Sequence, residues 1–93
     1  MVAKLNMNLR VENNNKFVRG RKKAKESIEQ YLRYYYKLEY PVIDDCIFYV
    51  PYTTIDGLTE EVYEILREIE NEADLRNCFT EADVTCDELG LTW

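Results

Sequence analysis

The chain is short, acidic and rich in aromatic side chains. Its 93 residues carry a formal net charge of −6, and 46% of them are hydrophobic and 13% aromatic. This composition predicts one folded domain spanning residues 1–93, because a disordered chain would lack those apolar and aromatic side chains. There is no histidine, which excludes histidine-based acid–base catalysis, Ser-His and Cys-His nucleophiles and most zinc geometries.

The cysteines and glycines give no support to a catalytic or cofactor site. Three cysteines, Cys46, Cys78 and Cys86, are an odd number without CxxC spacing, so we expect buried apolar residues and neither disulfides nor a structural metal. The three glycines form no phosphate-binding loop. We therefore expect a non-enzymatic protein without a cofactor. The lack of a long apolar run or a signal-peptide block predicts a cytoplasmic protein that does not bind membranes.

The first predicted elements are a strand and a helix. Apolar side chains alternate with polar ones from Leu5 to Val11, which is typical of a half-buried strand. A helix is predicted from Lys16 to about Leu38, and Gly20, which costs about 1 kcal/mol against alanine, suggests that regular helix begins only at Arg21. Its apolar residues recur at helical spacing and are Ala24, Ile28, Tyr31, Leu32 and Tyr35.

Two short β-rich segments follow the first helix. Tyr40–Ile43 and Cys46–Tyr52 flank Asp44 and Asp45, a pattern that favours a tight hairpin. The later of the two segments contains Pro51, which places its end at a sheet edge or a bulge.

A second helix and a last strand complete the chain. The helix is predicted from Leu58 to about Asn77, with Asp56 or Thr59 as its N-cap. From Cys78 to Cys86 small, mostly apolar residues alternate with larger or charged ones, which predicts a strand whose small side chains face the helices.

This element order predicts an α+β fold. It favours a single sheet of three or four strands with both helices on one face, in the βαββαβ order of ferredoxin-like folds. Without a strand at Tyr40–Ile43 the layout becomes βαβαβ. In the ferredoxin-like arrangement the first and last strands are antiparallel neighbours, so Arg10 would lie beside Glu81 or Asp83 on the uncovered face.

The net charge conceals a strong asymmetry. Up to Lys37 there are ten basic and three acidic residues, whereas from Leu38 onward there are two basic and fifteen acidic ones. Five cations lie at the start of the first helix, where the helix dipole disfavours them and where a phosphate-bearing partner would compensate. We define this basic patch as Arg19, Arg21, Lys22, Lys23 and Lys25.

Two further surfaces have the composition of binding sites. The second helix carries like charges at i,i+4 spacing, and we define its acidic face as Glu60, Glu61, Glu64 and Glu68. The first helix carries three consecutive tyrosines. Consecutive residues of a helix point in different directions, so the three rings cannot all face the core. We expect Tyr35 to be buried and Tyr34 or Tyr36 to be exposed as an aromatic interface.

These features predict a small interaction or regulatory protein that acts through its basic patch and acidic face. A protein partner is expected, and self-association is open. One alternative is a phage or mobile-element inhibitor whose acidic helix mimics nucleic acid. The other is a nucleic-acid-binding accessory protein that uses the basic patch. If the two charged surfaces neutralise each other within the fold, the sequence gives less support to each of these three functions.

Overall fold

One antiparallel sheet with two helices on one face forms the fold. The computed structural model describes residues 1–13, 19–39 and 45–93. In these residues the sheet order is β2-β3-β1-β4-β5. The elements in chain order are β1 (Val2–Asn13), α1 (Arg19–Tyr35), β2 (Lys37–Leu38), β3 (Asp45–Pro51), α2 (Ile55–Asp74), β4 (Cys78–Cys86) and β5 (Leu91–Thr92).

The central strand β1 has the alternation that its sequence predicts. Ala3, Leu5, Met7, Leu9 and Val11 are buried, and the side chains between them face the other side of the sheet. β1 pairs with β3 through partners such as Leu5 and Phe48, and with β4 through partners such as Met7 and Val84. These pairings give β1 the most extensive strand contacts in the fold.

Both helices pack on the face of the sheet that carries the buried β1 residues. α1 contributes Ala24, Ile28 and Leu32 to the core, which lie on one stripe at i, i+4 and i+8. α2 contributes its own stripe, and each fully buried leucine, isoleucine or valine stabilises the fold by about 1.5–3 kcal/mol. The buried residues of α2 are Leu58, Val62, Ile65, Ile69 and Ala73.

The sheet differs from the expected one in its number of strands. We predicted a ferredoxin-like sheet of three or four strands, or a βαβαβ layout, and the described residues instead form five antiparallel strands. Both predictions are therefore wrong. The strand expected at Tyr40–Ile43 lies outside the described residues, and β2 forms earlier, at Lys37–Leu38, where it pairs with Tyr49 and Phe48 of β3.

The unexpected strand β5 results from a turn after β4. Gly90 has a φ of 65°, a left-handed conformation that glycine adopts without steric cost. The chain then runs back, and the backbone of Trp93 exchanges hydrogen bonds of 2.8 and 3.3 Å with that of Val84. Because β5 has only two residues, no alternation in the sequence can reveal it.

The helix boundaries also differ from the predicted ones. α1 begins at Arg19 and includes Gly20. α2 begins at Ile55, and its N-cap is Thr54, whose hydroxyl oxygen accepts a hydrogen bond of 3.0 Å from the Gly57 amide. The predicted caps Asp56 and Thr59 lie inside the helix, where Asp56 still suits the helix dipole.

The three cysteines are buried and unpaired, as predicted. Burial raises the pKa of the Cys46 thiol to about 11, and the nearby charge of Asp45 adds to the effect. The thiol therefore stays protonated at neutral pH. Within the described residues, no helix has the length and apolar character needed to cross a membrane.

Candidate functional site

The uncovered face of the sheet is the first place where charged side chains meet. The Arg10 guanidinium lies 3.9 Å from the Glu81 carboxylate, which confirms the predicted cross-strand neighbour. Both side chains are exposed, so the pair contributes little to stability. A groove of about 360 Å³ lies beside it, with Asn8, Asp45 and Asp83 among its lining residues. The described ranges contain no group of three or more residues suited to holding a metal ion.

The basic patch lies in the first two turns of α1. Lys22 and Lys23 are exposed, and Lys25 is half-buried. The Arg21 guanidinium reaches Glu12 of β1 at 4.0 Å. Among the described side chains, no ion pair joins Arg21, Lys22, Lys23 or Lys25 to the acidic face of α2. Within the described part of the chain, these four basic side chains therefore do not neutralise the acidic face through direct contacts.

The two helices run antiparallel, which separates the charged surfaces. Near the start of α1, Gly20 approaches the backbone of Arg76, beyond the end of α2. Farther along, the Ser27 hydroxyl donates a hydrogen bond to Glu72. After the end of α1, the Tyr36 hydroxyl donates one of 2.5 Å to Glu61, near the start of α2. The basic patch thus lies beside the end of α2, whereas the tyrosines lie beside its beginning.

The tyrosines at the end of α1 form a ring cluster. Tyr31 and Tyr35 have centroids 5.3 Å apart, and Tyr34 and Tyr35 have centroids 4.7 Å apart in an edge-on arrangement. Tyr34 is 81% exposed and Tyr35 is 64% exposed. The prediction that Tyr35 is buried is therefore wrong, because the buried stripe of α1 ends at Leu32. Tyr36 is half-buried and packs against Phe48 at a centroid distance of 6.1 Å.

A cleft of about 390 Å³, open to solvent on one side, lies between this ring cluster and the acidic face of α2. Its volume is within the range of protein ligand pockets. We call it the tyrosine–glutamate cleft, and its lining residues are Tyr31, Tyr35, Tyr36, Glu61, Glu64 and Glu68.

The three carboxylates of the cleft have different partners. Glu61 accepts the hydrogen bond from Tyr36, and Glu64 pairs with Arg67 at 2.8 Å. Glu68 is half-buried. No other residue in the described part of the chain donates a hydrogen bond to it or forms an ion pair with it. Glu68 is therefore the carboxylate that a cationic ligand meets without displacing an existing contact.

Two tyrosine hydroxyls of the cleft, those of Tyr31 and Tyr36, resist ionisation. Burial raises the pKa of Tyr36, and its hydrogen bond to Glu61 raises it further. Burial also raises the pKa of Tyr31, an effect to which the charges of Glu68 and Glu61 contribute. At neutral pH the negative charge of the cleft therefore comes from its carboxylates, and the rings present uncharged π faces.

Two further clefts adjoin the tyrosine–glutamate cleft. One, of about 380 Å³, shares Glu61 and Glu64 with it and is also lined by Glu60. The other, of about 470 Å³, shares Tyr35 and Tyr36 and adds apolar surface from Val2 and Pro51. One end of the molecule thus combines carboxylates, aromatic rings and apolar groups on a continuous surface.

The sequence indicated the components of this surface separately. The acidic face and Tyr36 line the clefts, whereas Tyr34 lies at the outer edge of the ring cluster. Tyr31 and Tyr35 were assigned to the core instead. Comparisons with protein-family models, with curated proteins and with solved structures find no match.

Proposed function

We propose that this protein is a non-catalytic interaction module that binds a positively charged segment of a partner protein. The observation that carries the proposal is the tyrosine–glutamate cleft, in which tyrosine rings and glutamate carboxylates face one another across the two helices. Rings attract cations through their π faces, and carboxylates pair with them directly. A cationic side chain in the cleft can therefore contact the tyrosine rings and the glutamate carboxylates at the same time.

The expected binding free energy can be built up from the individual contacts. A cation over an exposed tyrosine contributes about 0.5–1 kcal/mol, and an exposed ion pair contributes about 0–1 kcal/mol. One cationic side chain therefore binds weakly. Several of them along one segment, helped by the apolar surface around Val2 and Pro51, can give the affinity of a regulatory interaction.

The acidic face of α2 also suits mimicry of nucleic acid, the phage or mobile-element alternative. A mimic would occupy a basic groove of a nucleic-acid-handling protein and would need carboxylates that are free to take the place of phosphates. Arg67 pairs with Glu64, and Tyr36 donates a hydrogen bond to Glu61. Two carboxylates of the acidic face are therefore not free to take the place of phosphates. Recognition of a cationic protein segment accounts better for the rings.

A second candidate function is nucleic-acid binding by the basic patch. Lys22 and Lys23 are exposed, and neither takes part in an ion pair with another described residue. Exposed lysines of this kind are typical of phosphate contacts, whose affinity falls steeply with salt.

One binding experiment separates these functions. The probes are an acetylated peptide of alternating glycine and arginine and a labelled single-stranded RNA, each titrated by fluorescence anisotropy. The acidic-face variant carries Glu60→Lys, Glu64→Lys and Glu68→Lys, and the basic-patch variant carries Lys22→Glu, Lys23→Glu and Lys25→Glu. The proposal expects the acidic-face variant to lose peptide binding by at least about tenfold, and the basic-patch variant to retain it.

A control for net charge uses three exposed acids outside the cleft. The variant with Glu70→Lys, Asp74→Lys and Asp87→Lys changes the charge by the same amount, and it should bind the peptide at least about threefold more tightly than the acidic-face variant. Equal losses in both variants would mean that the peptide responds only to total charge. RNA binding that only the basic-patch variant loses would favour the second candidate function.

A further inference from the structure

We infer that the tyrosine–glutamate cleft is a receptor for a single arginine side chain of the partner. This inference rests on the proposed function and specifies its ligand. The cleft has a volume of about 390 Å³ and is bounded by two kinds of wall, tyrosine rings from α1 and glutamates from α2. A planar cation can lie against the first wall and pair with the second.

The aromatic wall offers an exposed ring face. Tyr35 is 64% exposed and lies between Tyr31 and Tyr34, at centroid distances of 5.3 and 4.7 Å. These ring contacts favour one orientation of the Tyr35 side chain, which reduces the side-chain entropy lost when a ligand stacks on it. Guanidinium groups stack on aromatic faces more readily than ammonium groups do.

The acidic wall offers one carboxylate, that of Glu68, that neither accepts a hydrogen bond nor forms an ion pair within the described residues. Glu68 is half-buried beside Tyr31, which experiences its charge. Glu61 and Glu64 are engaged by Tyr36 and Arg67. Arg67 also shows that a guanidinium fits against this stretch of α2, since its Nη1 lies 2.8 Å from the Glu64 carboxylate. An incoming arginine would make the equivalent contact with Glu68, one turn farther along the helix.

This arrangement favours arginine over lysine. A guanidinium has five donors in a rigid plane, so it can pair with both oxygens of the Glu68 carboxylate while its face rests on Tyr35. A lysine ammonium is compact and strongly hydrated, and it can satisfy the carboxylates only by giving up more of its hydration. The polar, half-open cleft also lacks the closed aromatic cage that quaternary ammonium groups need.

The test is a chemical-shift titration of the ¹⁵N-labelled protein with N-acetyl-arginine amide. Shifts are expected in residues 31–36 and 61–68, and N-acetyl-lysine amide should bind at least about threefold more weakly. The neutral citrulline derivative, which has the same shape without the charge, should not bind. Among the variants, Glu68→Gln should weaken arginine binding by about fivefold and Tyr35→Leu by about threefold.

A matched control uses Glu70→Gln, which removes the same charge from an exposed position of α2 outside the cleft. It should change the affinity by less than about 1.5-fold. Equal binding of the arginine, lysine and citrulline derivatives, or equal effects of Glu68→Gln and Glu70→Gln, would overturn the inference. If the glycine–arginine peptide binds through the acidic face while N-acetyl-arginine amide shifts no residue of the cleft, the inference fails and the proposed function stands. If neither ligand binds, both fail.

Discussion

Tyr36 is the residue that connects the candidate site to the hydrophobic core. Its amide donates a hydrogen bond of 2.8 Å to the carbonyl of Leu32, its ring packs against Phe48, and its hydroxyl donates to Glu61. One residue therefore joins α1, β3 and α2 at the edge of the cleft. The same burial that positions Tyr36 also makes its ionisation costly.

The raised pKa of Tyr36 predicts a loss of stability in alkaline solution. In the unfolded chain a tyrosine ionises near pH 10, whereas burial and the hydrogen bond to Glu61 raise the pKa of Tyr36 in the folded protein. The contribution of this group is complete below about pH 10 and is lost as the pH rises toward the folded pKa. Tyr36→Phe should cost about 1 kcal/mol at pH 7 and should make the free energy of unfolding fall less between pH 9 and 11.

Urea denaturation at a series of pH values, followed by circular dichroism, measures both effects. Tyr63 is exposed, so Tyr63→Phe removes the same hydroxyl without disturbing a buried contact and should reproduce the parental pH dependence. A Tyr36→Phe curve parallel to that of the parent would show that Tyr36 ionises as easily in the folded protein as in the unfolded chain.

At the scale of elements, the start of α1 docks against the connection between α2 and β4. A Cβ atom built on Gly20 would lie 2.5 Å from the carbonyl oxygen of Arg76 and 3.5 Å from Sγ of Cys78. A neighbouring backbone atom cannot move aside as a flexible side chain can. The glycine therefore allows α1 to approach this connection closely, and its poor helix propensity is offset by that packing.

Gly20→Ala should consequently destabilise the protein. Helix propensity alone predicts a gain of about 1 kcal/mol, whereas the clash with the Arg76 carbonyl predicts a net loss of about 1–3 kcal/mol. Thermal and urea unfolding give the sign directly. Gln30→Ala, at an exposed position of the same helix, should change the free energy of unfolding by less than about 0.5 kcal/mol. Stabilisation by Gly20→Ala would mean that the docking is loose.

Periodicity in the sequence predicts the long elements well and the short or contact-dependent features poorly. The strand at Cys78–Cys86 has the predicted bounds, because a period of two persists over many residues. From the sequence, Gly20 could be interpreted only by the low helix propensity of glycine. The close approach of the Arg76 backbone depends on tertiary structure, so the sequence could not indicate it. Tyr35 was placed in the core because its spacing fits a helical stripe, although that stripe ends one turn earlier, at Leu32.

The candidate site shows the same limit. The acidic residues and the tyrosines were identified from composition and spacing within each helix. Their convergence was not predicted, because Tyr36 and Glu61 are 25 residues apart and meet only through the antiparallel packing of α1 and α2. A cleft formed between two elements leaves no periodic pattern in either of them.

At the scale of the whole molecule, the charge asymmetry separates into two surfaces on an elongated body of 42 × 21 × 19 Å. Lys22 and Lys23 lie about 12–20 Å along α1 from Tyr31 and Tyr35 of the cleft, at 1.5 Å per residue. Electrostatic interactions between exposed charges are screened beyond about 8 Å at physiological salt, and beyond about 30 Å at 10 mM. The basic patch should therefore influence the cleft at low ionic strength and hardly at all at physiological ionic strength.

This separation predicts a salt-dependent coupling between the two surfaces. Replacing Lys22 and Lys23 by glutamate makes the field near the cleft more negative. Coulomb's law with screening then predicts that N-acetyl-arginine amide binds about threefold more tightly at 10 mM salt and less than about 1.5-fold more tightly at 150 mM. Chemical-shift titrations of the parent and the double variant at both salt concentrations measure the coupling. An equal effect at both concentrations would place these lysines in direct contact with the cleft or its ligand, because only short-range pairs escape screening.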